Sequence, residues 1–326
     1  MQTILRRYSR LSKDYPNFNI IMSTFLFLIG LVIFLSFFSK VFLTPRNMIN
    51  IFTQVAVYVI LGVGMTLVMA TGGIDISIGS MIGLTTTFLG TVMLGYGFSW
   101  WFSILLCILA GGVCGAFNGM LIVKFKVPPI IVTLGTMTLF RGLAYAYQEG
   151  RVHYGFPEQL LWIGRARILG LPVPIWIAIV VFLLGHYFLT RTRTGRHICA
   201  VGGNMEAARL SGINTGLLLF LVYVILGFLV GLATIILTAR LDAAQATAGT
   251  GMDLHTIAGV VVGGTALSGG RAFMVGTLLG MIILGVLENG LLLAGIGFYW
   301  QRVFIGIIFI MVVASRTFKE KQTAVS

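Results

Sequence analysis

The chain has 326 residues, of which 58% are hydrophobic and only 10% charged, against about 25% charged in a typical soluble domain. Its mean hydropathy of +1.00 excludes an ordinary water-soluble fold and predicts an all-α polytopic membrane protein. The formal charge of +13 does not signal nucleic acid, because the basic residues gather at the ends of apolar runs and form no stripe with interleaved aromatics.

In chain order, a basic leader with Arg6, Arg7, Arg10 and Lys13 precedes an apolar run from about 19 to 43. The run is longer than the roughly 7–15 residue core of a signal peptide and no small-x-small site closes it, so it is expected to stay as the first span. Further spans are predicted over 49–70, 78–97, 101–123, 128–147, 173–190, 215–238, 255–267, 273–294 and 300–315, giving about ten transmembrane helices. With the N-terminus inside, fourteen of the 22 Lys and Arg residues fall on the cytoplasmic side, seven fall outside, and Arg141 lies within a span. That bias sets the orientation, with both termini cytoplasmic. Residues 1–326 read as one polytopic membrane domain, with a cytoplasmic tail over 1–19, a cytoplasmic loop over 191–215 and a second tail over 316–326. Cys107, Cys114 and Cys199 lack metal spacing and read as small packing residues.

Two Gly-rich segments break the apolar pattern at membrane depth. In "MATGGIDISIGSMIG", residues 69–83, Gly72, Gly73, Ser77 and Gly79 surround Asp75; in "VVGGTALSGGRAFMVG", residues 261–276, Gly263, Gly264, Ser268 and Gly270 repeat the same spacing 191 positions later. Paired breaks in the two halves of a chain point to a transport path or gate, and small residues at such spacing also serve tight helix packing; both readings stand. Asp75, Arg141, His186 and Glu288 are ionisable groups within or beside spans and are expected to point inward. Arg141 and Glu288 could pair, Asp75 could accept from the amides of its own glycines, and a proton relay is the alternative. Asn118, Gln245, Asn289, Tyr299 and Trp300 are the groups suited to a hydroxylated solute, although an amide also bonds neighbouring helices and aromatics also mark the interface.

No G-x-x-x-x-G-K-[ST], H-E-x-x-H or G-x-S-x-G occurs, so no nucleotide cradle or hydrolase signature is present and the chain is not expected to be an enzyme. Between the sixth and seventh spans lies "GGNMEAARLSGINTG", residues 202–216. Asn204 can cap a short helix, Glu206 suits its first turn and Gly212 can end it. Glu206 and Arg209 could pair, and Met205, Ala208 and Gly212 would form a small face for a partner's groove.

"EAARLSG", Glu206 to Gly212, fits the E-A-A-x-x-x-G motif of the coupling loop in permease subunits of bacterial ABC importers. Together with "GGIDISIGS", "GRHICAVGGNMEAARLSGIN", "ARLDAAQATAGTGMDLHTIAGVVVGGTALSGG" and "GVLENGLLLAGIGFYWQ", it makes the chain from about residue 45 onward resemble the ribose-type monosaccharide permeases. The resemblance implies a multi-pass inner-membrane subunit that moves ribose or a similar pentose, with xylose, galactose, arabinose and autoinducer-2 as the solutes of its cousins. It implies that Glu206, Ala207, Ala208, Arg209 and Gly212 dock on a separate ATPase that uses ATP and Mg, while this chain binds no cofactor. A periplasmic or lipid-anchored sugar-binding protein would deliver the solute, and a second permease copy or a paralogue would complete the pore within the membrane lipids. A gradient-driven transporter using Asp75 or Glu288 as its carrier group is the competing class. Such permeases usually carry an acid where this chain has His255, which sets that position apart.

Overall fold

The computed structural model describes residues 18–325; the basic leader and the expected N-terminal tail, apart from its last two residues, lie outside these. Thirteen α-helices follow one another among the described residues: α1 Phe18–Ser36, α2 Pro45–Ala70, α3 Ile78–Gly90, α4 Trp100–Phe125, α5 Pro129–Gln148, α6 Glu158–Arg165, α7 Val173–Arg191, α8 Arg193–Gly203, α9 Met205–Leu210, α10 Thr215–Leu241, α11 Met252–Val262, α12 Met274–Leu293 and α13 Phe298–Val325. A π-turn over Thr91–Gly95 prolongs α3. Seven of these elements, α2, α3 with its π-turn, α4, α5, α7, α10 and α12, are long and apolar enough to cross a membrane. Ile21–Ser36, Met252–Val262 and Tyr299–Met311 are shorter apolar helices.

The all-α character holds, and one expectation needs correction. The span placed over 255–267 is the 11-residue helix α11, about 17 Å long at 1.5 Å per residue and thus about half the hydrocarbon layer. The segment 191–215 carries α8 as well as the short helix α9. Two short antiparallel pairs accompany the helices: His153–Tyr154 (β1) with Ala243–Ala244 (β4), and Arg167–Ile168 (β2) with Leu171–Pro172 (β3). These strands mark one end of the molecule, here the hairpin end; α8 and α9 mark the other.

Helix ends are chosen locally. Thr44 accepts from the Asn47 amide and Pro45 occupies the first turn of α2, where its missing N–H costs nothing. The same helix stops where Gly72 takes φ +81° and the amides of Gly72 and Gly73 close on Met69 and Val68 carbonyls, a Schellman ending that favours glycine at the positive-φ position. α2 forms the centre of the molecule, with every residue from Val59 to Ala70 buried. Gly62 packs on Thr277 and Met281 of α12, and Gly64 on Leu226 of α10.

Glycines four apart bring two further helix pairs into backbone contact. Gly111 and Gly115 of α4 lie against Gly227, Gly231 and the Tyr223 carbonyl of α10, and Gly259 and Gly263 lie against Gly276 and Gly280. A Cβ at any of these positions except Gly259, where it would meet the Met281 side chain, would collide with backbone, which no side-chain rotation can relieve. Lipid offers no hydrophobic drive between apolar helices, so close backbone packing of this kind holds them together. Cys107 and Cys114 are buried in α4, as their packing role requires, and Cys199 is half-buried. Gly115→Val should lower the detergent melting temperature of the purified protein and cost about 1–3 kcal/mol, the range for overpacking, whereas Gly142→Ala, with nothing within 4 Å, should leave the melt unchanged.

Candidate functional site

The short helix α9 is built as its sequence suggests. Asn204 Oδ1 accepts from the Ala207 amide at 2.9 Å, and Gly212, at φ +83°, closes the helix with bonds from Gly212 N to Arg209 O and from Ile213 N to Ala208 O. The face it presents differs from the small one expected. Ala208 is buried against the protein, whereas Met205, Glu206, Ala207, Arg209, Leu210 and Gly212 are exposed, Leu210 at 84%. Glu206 and Arg209 are not joined in an ion pair, in contrast to Arg165 with Asp242 and His255 with Glu288. Both charges of α9 are therefore free for a partner.

At the end of α8, just ahead of this helix in the chain, the two Gly-rich breaks meet. The Gly270 amide donates to the Ala70 carbonyl at 3.0 Å, and a Cβ at Gly72 would lie 3.3 Å from the Ser268 carbonyl. Gly202, near the end of α8, is wedged between the Ala70 carbonyl and the Gly270 amide with no room for a Cβ. The internal echo is slipped by one residue in space. Gly72 corresponds structurally to Gly264, at φ +110°, because Thr265 N closes on Val260 O as Gly73 N closes on Val68 O. Gly263 instead packs on Gly276. The serines also differ, since Ser77 is buried and Ser268 exposed.

After the first break, Asp75, Ser77 and Asn118 form a closed polar knot with no solvent exposure. Asp75 Oδ1 accepts from Ser77 N at 2.8 Å and Ser77 Oγ at 2.6 Å, Oδ2 accepts from Asn118 Nδ2 at 3.1 Å, and that amide also reaches Ser77 Oγ at 2.9 Å. The expected partners, the amides of Gly72 and Gly73, close the α2 ending instead. Gly79 lies against the Gly249 carbonyl.

Arg141 does not pair with Glu288. It fans its guanidinium onto backbone carbonyls of two segments: Nη1 donates to Ala246 O and, at 3.0 Å, to Ala248 O of the unwound stretch before α11, while Nη2 donates to Gly79 O in the first turn of α3 at 2.9 Å. Gln148 completes the work, donating to Ala244 O at 2.8 Å and accepting from Ala246 N. The segment can remain non-helical because α5 supplies what water would. Glu288 is bonded instead to His255 Nδ1 at 3.0 Å and Gln54 Nε2 at 3.4 Å. Asn289 and Asn47 exchange reciprocal bonds at 2.8 and 3.0 Å, so Asn289 joins α12 to α2. His186 stacks on Phe182 with ring centroids 6.0 Å apart. Asn47, Gln54, Tyr58 and Gln148 are the polar residues the sequence did not single out; their partners lie far off in sequence, and no motif marks them. Among the described residues no group of three His, Cys, Asp or Glu side chains could hold a metal.

Arg141→Met should cost about 3 kcal/mol or more, since each of three buried carbonyls would lose its donor at about 1–3 kcal/mol each, read as a fall in the melting temperature of the purified protein. Arg141→Lys should recover only part of the loss, because a point ammonium cannot span the fan of acceptors.

The chain matches the family described as "Branched-chain amino acid transport system / permease component" over residues 47–313. It is 42% identical over 290 residues to the ribose import permease protein RbsC of Escherichia coli K12, covering 88% of this chain and 90% of that protein. It is 41% identical over 298 residues to RbsC of Bacillus subtilis, with 90% and 91% covered, and 34% identical over 290 residues to the D-allose transport system permease protein AlsC of Escherichia coli K12, with 89% of each covered. No solved structure matches the chain. With apolar spans in place and four-fifths of its length matched, the chain belongs to this family of importer permease components and is a multi-pass protein of the inner membrane.

Proposed function

We propose that the chain is the membrane-spanning subunit of an ATP-binding-cassette importer for ribose or a similar pentose, and that α9 is where a separate ATPase, using ATP and Mg, takes hold of it. The observation that carries the reading is the position of α9. Its charged and apolar side chains are open to a partner, and the residue two before its cap, Gly202, touches both Gly-rich breaks through backbone alone. A displacement of α9 would reach Ala70 and Gly270 without a soft side chain to absorb it. To carry the membrane subunits from about 1:99 to 99:1 between two facing states, the partner must bind one about 5.5 kcal/mol better than the other, and that bias has to pass through this junction.

In the same reading the chain crosses the membrane ten times with both termini and α9 in the cytoplasm. The seven long helices are joined by α1, α13 and a crossing made of the unwound stretch before α11 and α11 itself, and the two-to-one excess of basic residues supports the orientation. A second copy of the chain, or a paralogue, completes the path, and a sugar-binding protein on the outer side delivers the solute. The pentose comes from the relatives named ribose import permeases; AlsC, at lower identity, leaves a hexose as the competing solute. No ATPase motif occurs in the chain, which fits a transport subunit driven by its partner.

Uptake of labelled ribose in cells carrying the complete importer is the direct assay. Glu206→Lys should leave membrane insertion intact while abolishing both uptake and the binding-protein-stimulated ATPase, and normal uptake in this variant would refute docking at α9. Gly202→Val should keep the complex assembled but reduce uptake by about tenfold or more, equivalent to losing about 1.4 kcal/mol of the transmitted bias. Gly203→Ala, whose Cβ would meet its nearest atom at 3.9 Å, should transport normally.

A further inference from the structure

Gln54 and Tyr58 of α2, His255 of α11 and Glu288 of α12 come together in the half of the molecule nearer the hairpin end. Gln54 lies nine residues into α2, about 13 Å from its start. The Glu288 carboxylate is held on one oxygen by His255 Nδ1 at 3.0 Å and approached on the other by Gln54 Nε2 at 3.4 Å. With Glu288 ionised, a state in which a carboxylate only accepts, Nδ1 is the donor of this bond. Tyr58 stacks on the imidazole with centroids 3.8 Å apart and planes 19° from parallel, which fixes the ring. His255 Nε2 is buried and has no partner among the described residues. The site is nevertheless open on one side: Gln54 is exposed and the Glu288 side chain keeps 15% of its surface. Close by, Arg240 donates to the Thr53 carbonyl at 3.3 Å and Arg302 to the Thr250 carbonyl at 2.9 Å.

An exposed amide beside a carboxylate at this depth is costly against hydrocarbon, which favours a polar lumen on the open side. The carboxylate is oriented by His255 from behind, its second oxygen is weakly engaged, and the neighbouring amide offers both a donor and an acceptor. That set matches adjacent hydroxyls of a neutral polyol, each of which donates one proton and accepts another. We propose that Glu288, positioned by His255 and flanked by Gln54, forms a hydroxyl-binding subsite for a neutral monosaccharide on the translocation path. The assignment rests on the reading of the chain as a sugar permease. In it His255 is a positioning residue: it orients an acceptor for the solute.

The test uses the complete importer, permease with its ATPase and binding protein, in lipid vesicles with ribose as the probe. Glu288→Gln keeps the shape of the side chain and removes the charged acceptor. It should lower the sugar moved per ATP hydrolysed by about tenfold, the size expected for losing a charge-assisted hydrogen bond, while stimulated hydrolysis and the melting temperature stay near those of the unaltered complex. Independently of folding around Glu288, Gln54→Cys in a Cys199→Ala background should react with a charged, water-soluble thiol reagent. The reaction should run at least about tenfold faster than that of Val180→Cys, which is 54% exposed on α7, because the reactive thiolate needs water. Undiminished sugar flux per ATP in Glu288→Gln, or labelling of Gln54→Cys no faster than Val180→Cys, overturns the subsite while leaving sugar transport by the unaltered complex in place. If the unaltered complex moves no ribose or other monosaccharide, the sugar permease reading itself falls and the subsite falls with it.

Discussion

The structure depends on one constraint: a peptide group inside a membrane span has to find its hydrogen-bond partner within the protein. Most of the chain meets it by coiling into helices. The stretch from Ala244 to Thr250 does not, and it survives because Arg141 and Gln148 on α5 take up the carbonyls of Ala244, Ala246 and Ala248 and the amide of Ala246. A guanidinium placed mid-span is expensive in isolation; surrounded by carbonyls it becomes the reason the chain can stay unwound up to the start of α11. His255 near the start of α11 then meets Glu288 and Tyr58, so the polar site and the unwound segment share a common cause.

The second organising feature is contact without side chains. Backbone meets backbone where α4 crosses α10, where α11 meets α12, and where Gly202 touches Ala70 and Gly270. Packed cores transmit displacement as nearly rigid bodies, and glycine contacts remove the last flexible layer between them. The Asp75, Ser77 and Asn118 knot adds a polar brace that ties the segment after the first break to α4. The covalent backbone from α9 to Gly202 and the close contact of Gly202 with Ala70 and Gly270, themselves joined by one hydrogen bond, link α9 to both breaks.

Much of this was legible in the sequence, and the rest was hidden for definite reasons. The apolar runs located every long span because length and hydropathy decide membrane insertion, and "GGNMEAARLSG" disclosed α9 with its cap at Asn204 and its glycine stop at Gly212, since capping is a local matter. The echo at 191 residues did identify two segments that meet, yet it misassigned Gly263, because spacing cannot distinguish a glycine needed for positive φ from one needed for close approach. Arg141 was matched to Glu288 by charge alone; the partners it actually takes are carbonyls, which every residue carries and no sequence displays. Ala208 turned inward for a similar reason, as the burial side of a six-residue helix is set by what lies beneath it. Asn47 and Asn289, 242 residues apart, are the plainest case of a pairing only the fold reveals.

The crossing of α4 on α10 also bears on how the protein is made. Gly115 and Gly227 are 112 residues apart, so at about 5–20 residues per second the ribosome needs roughly 6–22 s to supply the second after the first. Throughout that interval the glycine groove of α4 has no mate, and its bare backbone has to be sheltered by lipid or by the insertion machinery. The order of synthesis thus makes the late arrival of α10 the step at which α4 acquires its glycine-bearing neighbour.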